Sequence, residues 1–188
     1  MLASVQNIKD YLGITDDNQN QFLEDLLISA NSVSKNYTGR DFEQQNYIHY
    51  FNWKWESEFL LKQYPVSALI SFQYNAWSLS IPVWTDFDAN NYKLEPENGK
   101  IWLTFSLPKW IQNIKTVYTA WYSNESSQYL ELKQAIIQLA AFYYNTSKSD
   151  WISSESIDWA SLTYEKNINW IPNNILFILN RYKNVQVF

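Results

Sequence analysis

The period of the apolar residues changes twice along this chain, and that change limits the fold more than any other feature. Val5, Ile8, Tyr11 and Leu12 fall on one helical face after Ser4, a natural N-cap, and before Gly13, a natural stop. Phe22, Leu26, Ala30, Val33 and Tyr37 form a second helical stripe that Leu23 and Leu27 widen, and Gly39 ends it. From Tyr47 the spacing drops to two: Tyr47, His49, Phe51, Trp53 and Trp55 alternate as in a strand. Phe59–Leu61, Leu69–Phe72, Ile101–Phe105 and Thr116–Thr119 are further strand candidates, punctuated by Pro65, Pro82, Pro96 and Pro108. Asn98-Gly99 can take positive φ, which predicts a hairpin between Tyr92–Leu94 and Lys100–Trp102. Helical spacing returns near Tyr129 with Leu132, Ile136, Leu139, Ala140 and Tyr143. A polar stretch, 146–169, reads as irregular chain, and Pro172 opens a last helix carrying Ile175, Ile178, Leu179 and Tyr182.

The expectation is therefore an α+β fold. A helical core, made of an N-terminal hairpin over 1–42, a core helix over 128–146 and a C-terminal helix within 147–188, carries an antiparallel, hairpin-rich β insertion over 43–122. No second domain is expected in the 188 residues.

Composition removes most chemistry. There is no cysteine, hence no disulfide, thiolate metal site or cysteine nucleophile. His49 is the only histidine, which leaves no catalytic triad and no histidine-rich zinc site. The three glycines, Gly13, Gly39 and Gly99, each suit a turn or cap and cannot build a phosphate-binding loop. Asp86, Asp88, Asn90 and Glu97 match four positions of a calcium loop, but Asn91 stands where that loop needs glycine, and a polar surface loop is expected. Glu95 and Glu97 offer paired carboxylates without any sign of a pocket. Three Asn-x-Ser/Thr sequons, at Asn36, Asn124 and Asn145, lack the secretion signal that gives such a pattern meaning. No stretch approaches the ~20 apolar residues of a membrane span. Neither an enzyme nor a cofactor or metal site is expected.

The net charge is −5, with scattered lysines and arginines, so no basic nucleic-acid surface is expected. Ten Trp, fourteen Tyr and ten Phe are an excess of large, stiff rings, which suits protein interfaces. Exposed rings on the strand from Tyr47 to Trp55 would also suit sugar stacking, so a carbohydrate-binding β module is the alternative from a different class.

Several segments, in order, resemble the phage head–tail connector (adaptor) family. They are Ile8-Lys9-Asp10-Tyr11-Leu12-Gly13-Ile14, then Asp16-Asp17, then Phe22 to Ala30, closing on Tyr37-Thr38-Gly39-Arg40-Asp41-Phe42. Weaker likeness continues at Tyr92–Leu94 with Glu97–Ile101, at Val117–Tyr122, at Leu132–Ile136 with Leu139–Ala141, at Ser154–Ile157 and at Ile171-Pro172 with Leu179–Tyr182. Segments 43–63 and 74–90 depart from the family in being longer and far more aromatic.

The resemblance implies a structural virion protein, made in the host cytoplasm and placed in the neck. It implies a homo-oligomeric ring, commonly dodecameric, between the portal protein and a tail-completion or neck protein, with genomic DNA passing through the lumen. Another neck or tail-completion protein is the nearest alternative. Under this reading residues 165–188 face the portal, through Ile171, Ile175, Leu179, Arg181 and Tyr182, and truncation after Asn167 leaves a folded protein that no longer joins heads. Trp53, Trp55, Trp77, Trp84 and Trp110 are the candidates for subunit or neck-protein contacts. Twelve copies would carry twelve times −5, or −60, so the channel is expected not to grip duplex DNA.

Overall fold

The computed structural model describes residues 1–53, 57–75, 83–104, 110–122, 126–148, 154–157, 160–163 and 171–184. The architecture is α+β, as the periodicity predicts. The chain divides into two compact units, one of Met1–Arg40 with Asn124–Phe188, the other of Asp41–Ser123.

The first unit is helical. α1 (Val5–Leu12) begins at a reciprocal cap: Ser4 Oγ accepts the Asn7 N–H at 3.3 Å, and Asn7 Oδ1 accepts the Ser4 N–H at 3.0 Å. α2 (Asn20–Thr38) stops at Gly39, whose φ of 67° is left-handed and whose N–H donates to Lys35 O at 2.9 Å. α3 (Ser127–Lys148) starts where Ser126 Oγ accepts the Tyr129 N–H. α4 (Asn173–Asn180) follows Pro172, which takes the cap position just outside the first turn.

Ile8, Leu23, Leu27, Leu132, Ile136, Leu139, Ile175 and Leu179 are buried, and each such side chain contributes about 1.5–3 kcal/mol. Asn184 N–H donates to Thr38 O at 2.7 Å, and Tyr37 OH donates to Asn180 Oδ1 at 2.6 Å, so the C-terminal segment is tied to the end of α2.

Two helical faces differ from expectation. On α2 the buried line is Leu23, Leu27, Ala30, Ser34 and Thr38, while Phe22 is exposed. Thr38 satisfies its hydroxyl on its own helix, donating to Ser34 O at 2.8 Å, and so enters the interior despite its polarity. On α1, Tyr11 is half-exposed and Lys9 is buried, its ammonium reaching Asp17 at 2.6 Å. That hydrogen bond, helped by one from Asn20, holds the exposed Asp17 carboxyl below the usual range.

The second unit is built of two antiparallel sheets. The larger has the order β1-β7-β3-β4, from β1 (Gln45–Trp53), β7 (Trp110–Ala120), β3 (Val66–Asn75) and β4 (Trp84–Asp86). The smaller has the order β2-β6-β5, from β2 (Glu58–Leu60), β6 (Lys100–Leu103) and β5 (Tyr92–Glu95). One apolar cluster joins them: Phe59, Leu61 and Ile101 meet Phe72, Ile114 and Tyr118, and Phe87 stacks on Phe72 with centroids 4.3 Å apart.

The predicted β5–β6 hairpin is present, with Gly99 at φ 64°. That glycine is fixed twice over, because a Cβ there would lie 2.9 Å from Tyr64 Cβ. The turn is also anchored outward, Leu61 N–H donating to Gly99 O and Val66 N–H to Pro96 O, both at 2.8 Å.

Part of the stretch expected to be irregular is instead a two-stranded antiparallel hairpin, β8 (Ser154–Ile157) with β9 (Ala160–Thr163). Backbone groups alone can form such a ladder, so its short polar strands leave no apolar alternation to read.

Candidate interaction surfaces

The C-terminal candidates are mostly interior. Ile175 and Leu179, four residues apart, share the inward face of α4, and Ile171 and Tyr182 flank them, all four buried. This corrects their assignment as portal-facing side chains: each is already committed to the core of the helical unit. Arg181 alone of the five is exposed, and it pairs with Glu131 at 2.6 Å. Tyr182 OH donates a short hydrogen bond to the other Glu131 oxygen, so one carboxylate on α3 holds two residues that follow α4.

The outward face of α4 carries a residue that the sequence reading missed. Phe177 is 71% exposed. Its signal was present, since with Ile175 and Leu179 inward the 3.6-residue period sends position 177 to the far side. Beside α4 an open cleft of about 310 Å³ is lined by Tyr11, Phe142, Asn145, Pro172 and Asn174, among others, from α1, α3 and the start of α4.

The aromatic candidates fare differently. Trp55 and Trp77 lie outside the described residues, and Trp53 and Trp110 are paired positions at one end of the β1–β7 ladder. Trp84 is half-buried on the larger sheet, its ring 5.8 Å from that of Tyr50 and 5.7 Å from Lys115 Nζ. Around it Ile48, Tyr50, Ile70 and Val83 are each more than half exposed. None of these four was singled out from sequence, where single apolar residues at outward positions look ordinary.

The opposite positions of β1 face inward. Tyr47 and Phe51 pack on the core cluster, so the alternating rings that suggested a sugar platform are turned toward the second sheet. His49, between them, meets Tyr118 edge-on at 5.3 Å. Tyr118 OH accepts the Gln63 N–H at 3.2 Å and lies 3.0 Å from His49 Nδ1, to which it can donate its own proton. Burial, then the nearby Lys62, lowers the His49 pKa from 6.5 to about 4. Burial, then the Asp41 charge, raises the Tyr47 phenol well above its ordinary range.

The depressed His49 value gives a pH prediction. The native state disfavours the charged ring, so its contribution to stability is full above pH 6.5 and falls as pH drops from 6.5 toward 4. Urea unfolding across that window should show this slope in the wild type and a flatter one in His49→Asn, which keeps an acceptor for Tyr118. Equal slopes would contradict it.

Asp86 lies on β4, Asp88 caps the short 3-10 turn Ala89–Asn91, and Glu97 sits in the β5–β6 turn. Among the described residues no group of three metal-ligating side chains comes together. Glu95 does not join Glu97 in a site but accepts the Trp102 indole N–H at 3.2 Å. Among the described residues no helix is long and apolar enough to cross a membrane.

Comparison with known proteins gives a family and a fold. A family model described as head completion protein matches residues 1–185. The chain resembles a protein in the neck of an empty GTA particle computed with C6 symmetry, at 18% identity and TM-score 0.63, over 100% of this chain and 92% of that one. It resembles one in the neck of a native GTA particle computed with C12 symmetry at 19% identity and TM-score 0.60, over 98% and 90%. A third likeness, at 18% and 0.62 over 100% and 92%, is to a chain of the native gene transfer agent virion. At these identities the structures speak for the fold. No curated protein sequence matches significantly.

Proposed function

The chain belongs to the head completion protein family, and on that premise we propose that it forms a closed ring in the neck of a virion, between portal and tail. Head completion is an assembly role rather than a reaction, which agrees with a chain whose residues offer little chemistry. The observation that carries the ring is the likeness over the whole chain to proteins from necks computed with C6 and C12 symmetry. The connector resemblance of the N-terminal helices supports the same placement.

In this reading one face of the ring meets the portal and the other a tail-completion or neck protein, and the genome passes through the lumen. The net charge of −5 per copy suits a wall that lets phosphates slide. Among the described C-terminal residues, Asn174 and Phe177 on the exposed side of α4, with Arg181 just after it, are available for the portal. Nothing in the described geometry favours the sugar-binding alternative, because Tyr47 and Phe51 are used in packing.

Electron microscopy of the particle tests the reading. The expected image is a closed ring of this chain against the portal vertex. Isolated copies, or copies on the outer capsid surface, would overturn it.

A further inference from the structure

We propose that the outer face of the four-stranded sheet is the surface on which the next copy of this chain sits in the ring. The inference rests on the ring reading and names a surface for it. The face follows from the register. Ile48 stands opposite Val117, and Val117 opposite Ser71. Tyr50 stands opposite Lys115, Lys115 opposite Gln73, and Gln73 opposite Asp86. Directly paired residues point to the same side, so these seven share one face, and Trp84 joins them two residues before Asp86.

An antiparallel sheet with one face in water ordinarily alternates apolar-in with polar-out. Here the outward positions include the exposed Ile48 and Tyr50 and the half-buried Val117, while Ile70 lies at the bulge beside them. Asn75 and Thr119 share this side by register but are buried, so the face is open in the stretch around Ile48, Tyr50 and Lys115. The inward positions already have their partner layer in the smaller sheet. The outward rings are pre-arranged rather than scattered: Tyr50 meets Trp84, and Lys115 approaches that same indole. Tyr and Trp held by neighbours lose little freedom on contact, which makes them suitable anchors for a partner surface.

Charge selects the partner. Copies of a chain with net charge −5 repel one another. The outward residues named above contain one cation, Lys115, and one acid, Asp86, so this face is neutral within an acidic molecule. It is a place where like copies can meet without opposing fields, whereas a strongly basic partner would gain nothing from it. Cyclic symmetry then requires that a different patch of the neighbour cover it, since ring contacts are heterologous.

The test places the photoreactive residue p-benzoylphenylalanine at position 50 and irradiates assembled particles. The expected product has twice the chain mass, and its peptides map both sides of the junction to this protein. A companion variant, Ile48→Asp with Tyr50→Asp, changes two exposed positions. It should keep its circular dichroism and melting temperature yet enter particles at least about tenfold less, as buried unpaired charge weakens association. A ring visible by microscopy with no self-crosslink from position 50, or with the double variant incorporated normally, would overturn this surface and leave the ring standing. Absence of any ring of this chain would overturn both.

Discussion

Deleting residues 168–188 is expected to unfold the helical unit, not to yield a folded protein that merely fails to dock. The deletion removes Ile171, Ile175, Leu179 and Tyr182, all buried. At about 1.5–3 kcal/mol for each buried side chain, the loss is on the order of 6–12 kcal/mol, comparable with the whole stability of a typical domain. The Asn184–Thr38 and Tyr37–Asn180 hydrogen bonds go with it, as do the two partners of Glu131. Thermal melts followed by circular dichroism should show no cooperative helical transition. A sharp transition with native helicity would contradict the prediction. Docking of α4 is therefore better probed with Phe177→Asp, an exposed change expected to leave stability within about 0.5 kcal/mol.

Tyr118→Ala should be the most damaging single substitution in the β unit, costing about 3–5 kcal/mol. Its ring is fully buried on the central strand β7 and lies 5.6 Å from Tyr47 and 5.3 Å from His49. Its hydroxyl accepts the Gln63 N–H and contacts His49 Nδ1. Tyr118→Phe separates the two contributions. It keeps the ring but leaves a backbone N–H and a ring nitrogen short of a partner, for a loss of about 1–3 kcal/mol. Urea midpoints of the three proteins should fall in the order wild type, Phe, Ala. A Phe variant equal to wild type would show that the hydroxyl contributes nothing.

The fold was legible wherever a residue type does one job. Ser4, Gly13 and Gly39 mark helix ends by chemistry that few other residues supply, and Asn98-Gly99 marks a hairpin for the same reason. The faces were harder. Period shows which residues share a side but not which side looks inward. Thus the two-residue spacing of Tyr47, His49 and Phe51 predicts one strand face but not its exposure, and the structure turns that face to the core. On α4 the run Ile175-Leu176-Phe177-Ile178-Leu179 is apolar all round, so its pattern does not tell packing from docking, and Ile175 and Leu179, expected to face the portal, are packed inward. The neutral face around Trp84 was illegible for a further reason. Its members come from β1, β7, β3 and β4, and only the register brings them together.

The division of the chain also sets an order of events during synthesis. The β unit is continuous, from Asp41 to Ser123, and has all its strands once Ser123 has left the ribosome. The helical unit is not, because α1 and α2 are made before the β unit while α3 and α4 come after it. Until then α1 and α2 have only each other to pack on, and buried residues such as Ile8, Leu23 and Leu27 lack the cover that α3 and α4 later add. The nascent chain must carry a helix pair with one apolar side uncovered across the whole interval in which the sheets form. That interval is its most aggregation-prone moment, and it ends only when the last helix is released.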